Sequence, residues 1–207
     1  KNYLEIILNP FDLLRTKTVL HVTPTVIPER EQSAESKIIV YEYNADSVET
    51  HTVKNVEGCF PFLQTDSKTW INVDGLKKEE VEVLCNHFGI HPLILEDILS
   101  IGQRPKTDEI NGLVFCLLNM LFFNEKQGSV ETEQVSIVLG NNFVISFQED
   151  ASRDVFNPIR EKLKIPGSKA RMSNSDFLFY CLIDMIVDNY YLVIEKLGDR
   201  IEVLEEE

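Results

Sequence analysis

The sequence predicts an α/β fold: an αβα sandwich whose mixed parallel and antiparallel sheet lies between helices, followed by the start of a long stalk helix. Two observations carry this prediction. Strand-like and helix-like segments alternate as far as about residue 165, and two adjacent strand-like segments are joined by the short turn Gly140-Asn141-Asn142. Alternation favours helices packed on the faces of a sheet. The neighbouring hairpin strands exclude a purely parallel sheet.

The first half of the chain supplies two strands and two helices. The segments KIIVYEYN and KTWINVDG are rich in β-branched and aromatic residues, as strands are, and a connection containing Pro61 lies between them. The segment LKKEEVEVLCNHFGI predicts a helix with one apolar side. Its apolar positions are Leu76, Val81, Leu84 and Phe88. Pro92 suits the first turn of a second helix, PLILEDILS, which ends before Gly102 and Pro105.

The second half of the sandwich adds three strands and a helix. The continuous apolar run GLVFCLLNMLFF predicts a buried strand. The segment EQVSIVLGNNFVISFQE predicts two strands joined by a hairpin, because Gly140, Asn141 and Asn142 accept positive φ angles. A helix over DVFNPIREKLK is closed by Pro166 and Gly167.

From about residue 175 a helical pattern continues to the end of the sequence. Its apolar residues alternate spacings of three and four, as in a heptad repeat; this predicted seam consists of Tyr180, Ile183, Val187, Tyr190, Ile194, Leu197, Ile201 and Leu204. About 33 helical residues would form a rod of roughly 50 Å. We therefore expect a sandwich domain over residues 1–170 and the first part of a stalk helix over residues 171–207, continuing past Glu207.

Charge and cysteine content narrow the class of protein. The formal net charge of −14 argues against nucleic acid and anionic membrane surfaces as partners, and it permits cations. Residues 174–207 hold nine acidic against two basic residues, a difference of −7. The four widely spaced cysteines favour a reducing compartment over a disulfide framework. The longest apolar segment contains Asp184 and Asp188, which argues against a bilayer span and favours a soluble chain.

Two pairs of carboxylates are the candidate metal ligands. Glu96 and Asp97 are adjacent on a short helix and point about 100° apart, so each needs a partner from another element or another chain. Asp184 and Asp188 share one helix face, where like charges repel unless a cation lies between them. Oxygen ligands without clustered His or Cys suit Mg²⁺ or Ca²⁺. A solvated helix face is the alternative for both pairs.

The other motifs in the sequence are weaker evidence for a metal, phosphate or catalytic site. Cys85, His87 and His91 suggest zinc, but no second Cys/His cluster completes a tetrahedral set, so we expect structural roles. The basic segment GQRPK predicts an ion pair or loop anchor rather than a phosphate site. No P-loop, dinucleotide-binding, zincin or nucleophile-elbow motif occurs, so the sequence does not predict an enzyme.

The blocks FGIHPLILEDILSIGQRPK, VFCLLNMLF, EQVSIVLGNNFVISFQE, DVFNPIREKL and LIDMIVDNYYLVIEKLGDRIEVLEEE occur in order between about residues 68 and 207. In these blocks the chain resembles the cytoplasmic portion of CorA magnesium and cobalt transporters. The resemblance implies a homopentameric inner-membrane channel, whose C-terminal transmembrane helices with their Gly-Met-Asn signature are absent from this sequence.

The resemblance also implies what the carboxylates do. Regulatory Mg²⁺, with Co²⁺ or Ca²⁺ able to substitute, binds between neighbouring cytoplasmic domains and favours the closed state. By position the ligands are Glu96, Asp97 and Asp184, with Asp188 acting through water. Two alternatives stay open: a zinc transporter of the same superfamily, which predicts more His near the metal sites, and a free-standing metal-binding or coiled-coil module.

Overall fold

A computed structural model of the chain describes residues 36–205. Within this range seven strands form one sheet, in the order β2-β1-β3-β7-β6-β5-β4. The strands are β1 (Lys37–Tyr43), β2 (Val48–Val53), β3 (Lys68–Asp74), β4 (Lys106–Ile110), β5 (Leu113–Asn124), β6 (Ser129–Leu139) and β7 (Phe143–Gln148). The central pair β3 and β7 is parallel, and the other neighbouring pairs of this sheet are antiparallel. The mixed sheet predicted from the sequence is therefore confirmed.

Helices cover both faces of the sheet. They are a 3₁₀ helix (Val56–Gln64), α1 (Lys78–His87), α2 (Pro92–Leu99), a 3₁₀ turn (Ala151–Arg153), α3 (Asn157–Lys164), the single turn α4 (Lys169–Met172) and α5 (Ser175–Glu205). The first 3₁₀ helix, α1 and α2 pack on one face, and α3, α4 and α5 pack on the other. This arrangement is the predicted αβα sandwich followed by a long helix.

Alternation along the central strands divides the core into two clusters. Trp70 and Ile71 are adjacent in β3 and fully buried, yet they point to opposite faces because successive side chains of a strand alternate. Ile71 packs in the layer of α1 and α2, and Trp70 packs in the layer of α3 and α5. Apolar residues occur on both sides of these strands because both faces of the sheet are covered there.

The two edge strands were not predicted. The strand β2 has the sequence VETHTV and β4 has the sequence KTDEI; both are polar and half-exposed. Such strands lack the apolar alternation from which strands are recognised. The turn after β4 holds Asn111 at φ 55° and Gly112 at φ 77°, as a two-residue hairpin requires.

The predicted hairpin between β6 and β7 is confirmed, but its turn does not use the positive φ angles that residues 140–142 can accept. Positive φ angles occur at Asn111 and at six glycines of the described chain, but not at Gly140, Asn141 or Asn142. Gly140 is required for a different reason. A Cβ atom at this position would lie 2.3 Å from Cε1 of the Phe143 ring, so the ring lies where a side chain would be.

The long helix packs on the sheet through a face other than the predicted seam. Its buried apolar side chains are Leu178, Leu182, Ile186 and Val193. Most of the predicted seam is instead exposed, including Val187 and Ile194, because a second apolar stripe with near-helical spacing runs along the same helix. Among the described helices, α5 is also the one long and apolar enough to cross a membrane. Its packing on the sheet assigns its first half to the folded domain.

Candidate metal-binding site

The helix α2 presents Glu96 and Asp97 beside its buried face. Ile94 and Ile98, four residues apart, are buried against the sheet. Glu96 is exposed, and Asp97 is half-buried beside the loop that follows the helix. The helix begins with the predicted Pro92 in its first turn, so the local sequence fixes where its carboxylates lie.

A side chain from the sheet holds the C-terminal end of α2. Nε2 of Gln134, in β6, donates to the carbonyl oxygens of Asp97 at 3.1 Å and Ser100 at 2.9 Å. The last carbonyls of a helix have no hydrogen-bond donor within the helix, so Gln134 supplies the donor that these two carbonyls would otherwise lack. Gln134 therefore fixes the backbone from which the Asp97 carboxylate projects.

The carboxylate of Asp97 is paired with a lysine of its own chain. Nζ of Lys106, the first residue of β4, lies 2.6 Å from Oδ2 of Asp97 and 3.7 Å from Oδ2 of Asp108. The hydrogen bond to the Asp97 carboxylate raises the pKa of Lys106 above its ordinary value. The ion pair expected of the segment GQRPK is thus present, and its partner is one of the predicted metal ligands.

Asp184 and Asp188 are exposed on α5. The hydroxyl of Tyr180 donates to Oδ1 of Asp184 at 3.2 Å. This hydrogen bond raises the pKa of Tyr180, because loss of its proton would place two negative charges together. The first half of α5 packs against the sheet through its buried side chains. Asp184 and Asp188 lie on the opposite, solvent-facing side of that half.

The structure does not bring the two carboxylate pairs together within one chain. The pair on α2 lies in one helix layer and the pair on α5 in the other, with the sheet between them. Over residues 36–205 no three Asp, Glu, His or Cys side chains are grouped closely enough to hold a metal ion. Exposed carboxylate oxygens fit a hard, partly hydrated cation such as Mg²⁺, but here they fit it only if ligands from a second chain complete the site.

The residues that suggested zinc have structural roles. Cys85 is fully buried in the core, and burial raises the pKa of its thiol to about 12. The ring of His87 stacks on Phe60, with their centroids 3.7 Å apart. His91 caps α2 by accepting a hydrogen bond from the backbone N–H of Leu93 at 3.2 Å. These three side chains serve packing and capping, as expected.

A buried polar cluster near the carboxyl ends of β3 and β7 was missed by the sequence analysis. The indole of Trp70 donates to Oγ of Ser146, which donates to Oδ1 of Asn72. Burial raises the pKa of Asp74 to about 6, and the nearby charge of Asp154 adds to the rise. The available signal was polar residues at every second position of otherwise apolar strands.

Comparisons with known proteins agree with this fold. Residues 66–207 match the family model for CorA-like Mg²⁺ transporter proteins. A relative described as the cobalt/magnesium transport protein CorA of Thermotoga maritima is 40% identical over 172 residues, which are 83% of this chain and 49% of that protein. The chain thus spans about half the length of this relative.

Two solved structures from Methanocaldococcus jannaschii share the architecture. The soluble domain of CorA matches with a TM-score of 0.57 at 20% identity, over 82% of this chain and 63% of that one. The complete CorA magnesium transporter matches with a TM-score of 0.56 at 20% identity, over 82% of this chain and 50% of that one. At this identity the two structures support the fold, while the family model and the Thermotoga relative identify the family. The chain belongs to the CorA-like Mg²⁺ transporter family.

Proposed function

We propose that this chain is the Mg²⁺-sensing, gating domain of a pentameric CorA-type channel for Mg²⁺ or Co²⁺, on the cytoplasmic face of the membrane. Regulatory cations, Mg²⁺ or in its place Co²⁺ or Ca²⁺, bind between neighbouring copies of the domain and favour the closed channel. The proposed ligands are Glu96, Asp97 and Asp184, with Asp188 acting through a bound water.

One observation carries this proposal. Two pairs of carboxylates, of which Asp97 is half-buried and the other three are exposed, lie in opposite helix layers of one sheet, so α2 and α5 of a single chain do not share an ion. If α2 of one copy faces α5 of the next, the two pairs meet at the interface. A ring of copies would repeat that contact at every interface, because a head-to-tail interface forms a ring when its rotation closes.

The exposed side of α5 supports self-association. Tyr191 is 68% exposed and Ile194 is 62% exposed, on a helix that also carries exposed Tyr180 and Leu192. An apolar stripe of this kind on a monomer is typical of an interface. We infer that neighbouring copies cover it in the assembled protein.

The carboxylates would push neighbouring copies apart by electrostatic repulsion when no cation is bound. Asp97 of one copy and Asp184 of the next repel each other when the interface holds no cation, and a bound divalent cation supplies the positive charge that offsets this repulsion. Ligand binding moves the equilibrium towards the closed assembly only by the difference in affinity between the two states. Loss of the cation therefore loosens the interface and favours opening.

The test uses the complete membrane protein that carries this chain. In the double variant Asp97→Asn and Asp184→Asn, Mg²⁺ should no longer protect the domain from proteolysis, while the protein still folds. The matched control is Asp46→Asn, an exposed aspartate in the loop between β1 and β2. Full Mg²⁺ protection in the double variant would overturn the assignment of these carboxylates as the sensor.

A further inference from the structure

We propose that Lys106 is a tethered competitor of the regulatory cation: its ammonium occupies Oδ2 of Asp97 and must leave before a divalent cation can bind that oxygen. This inference rests on the proposed function, since it concerns the same site. It assigns to Lys106 the task of setting the cation concentration at which the site fills.

The geometry of the ion pair supports the competition. Nζ of Lys106 lies 2.6 Å from Oδ2 of Asp97, at the distance of a direct charge-assisted hydrogen bond. The ammonium therefore lies where a cation bound to this oxygen would lie. A lysine ammonium and a divalent cation cannot occupy the same position beside one carboxylate oxygen, because their positive charges repel each other.

The carboxylate of Asp108 is a second partner for the ammonium of Lys106 once a cation displaces it from Asp97. Oδ2 of Asp108 lies 3.7 Å from the same Nζ atom, within two residues along β4. Lysine has a compact charge on a flexible four-carbon stem, so a small change of rotamer can move it from one carboxylate to the other. The side chain of Lys106 is 36% exposed and has room to move.

The backbone around the pair is held in place, so the exchange is confined to side chains. Gln134 holds the carbonyl of Asp97 at the end of α2, and Lys106 is paired with Leu117 in the ladder between β4 and β5. The competitor and the ligand are thus kept within reach of each other when the cation leaves.

The experiment measures the Mg²⁺ concentration at half-maximal protection from proteolysis in the complete protein and in three variants. Lys106→Gln removes the competing charge, and Lys106→Arg keeps it. Lys164→Gln is the matched control, because Lys164 is an exposed lysine that pairs with Glu161 on α3, in the opposite layer. Thermal unfolding checks that each variant folds.

An ion pair that is partly open to solvent contributes modestly, so Lys106→Gln should lower the half-maximal Mg²⁺ concentration by about two- to fivefold. Lys106→Arg and Lys164→Gln should stay within about twofold of the unmodified protein. Equal midpoints for Lys106→Gln and Lys164→Gln, or a higher midpoint for Lys106→Gln, would overturn the competition and leave the sensor assignment standing. Absence of any Mg²⁺ protection, even in the unmodified protein, would overturn both.

Discussion

The side-chain amide of Gln134 donates to the carbonyl oxygen of Ser100 at 2.9 Å, which ties strand β6 to the end of helix α2. The same nitrogen also donates to the carbonyl of Asp97. A helix of only eight residues has marginal stability by itself and depends on such tertiary contacts. The position of the proposed ligands on α2, Glu96 and Asp97, therefore depends on a residue of a strand 37 positions further along the chain.

Replacing Gln134 by Leu should destabilise the domain. The change leaves two helix carbonyls without their donor, and we expect the free energy of unfolding to fall by about 1–3 kcal/mol. Denaturant unfolding of this chain measures the loss. The control Gln127→Leu, at an exposed hairpin tip, should change the free energy by less than about 0.5 kcal/mol. Equal effects of the two substitutions would contradict the role of Gln134.

Asp74 should make the stability depend on pH in mildly acidic solution. Its pKa is raised from 3.8 to about 6 by burial, so the folded state holds a proton that the unfolded state releases. Stability from this group is therefore complete below about pH 4 and falls as the pH rises to about 6. Asp74→Asn removes the titration, and its stabilising effect at pH 7 should be at most about 3 kcal/mol.

The measurement for Asp74 is the free energy of unfolding as a function of pH, for the variant and the unmodified chain. The difference between the two should grow between about pH 4 and pH 6 and then stay constant. A constant difference for Asp74→Asn across this range would mean that Asp74 titrates normally.

Local sequence patterns predicted the central strands. The packed face of α5 and the partner of Asp97 depend on tertiary contacts, which those patterns do not show. The strand that holds Trp70 and Ile71 was recognised from its β-branched and aromatic residues, although Asn72 and Asp74 interrupt its apolar pattern. The stalk helix carries two apolar stripes of similar spacing, and the choice between Leu182 and Val187 as a packed residue depends on which stripe meets the sheet. The carboxylates of the candidate site were predicted, but the partner of Asp97 was not, because the intervening loop brings Lys106 back to it.

Gly140→Ala should be destabilising although Gly140 has no positive φ angle. The added Cβ would lie 2.3 Å from the ring of Phe143, and crowding of this kind costs typically about 1–3 kcal/mol. Gly198→Ala is the matched control, because a Cβ in that part of α5 meets open space. It should stabilise the helix by about 0.5–1 kcal/mol. Thermal unfolding that shows the same sign for both substitutions would contradict the steric account of Gly140.

The two faces of α5 should respond differently to truncation. Ile186 is fully buried against the sheet, and Ile186→Ala should lower the free energy of unfolding of this chain by about 2–5 kcal/mol. Ile194 is 62% exposed, and Ile194→Ala should change it by less than about 0.5 kcal/mol. In the complete protein Ile194→Asp should instead weaken association of the copies, because a charge would be buried at the proposed interface. Mass measurement of the assembly tests this, and an assembly unaffected by Ile194→Asp would place the interface on another face of the helix.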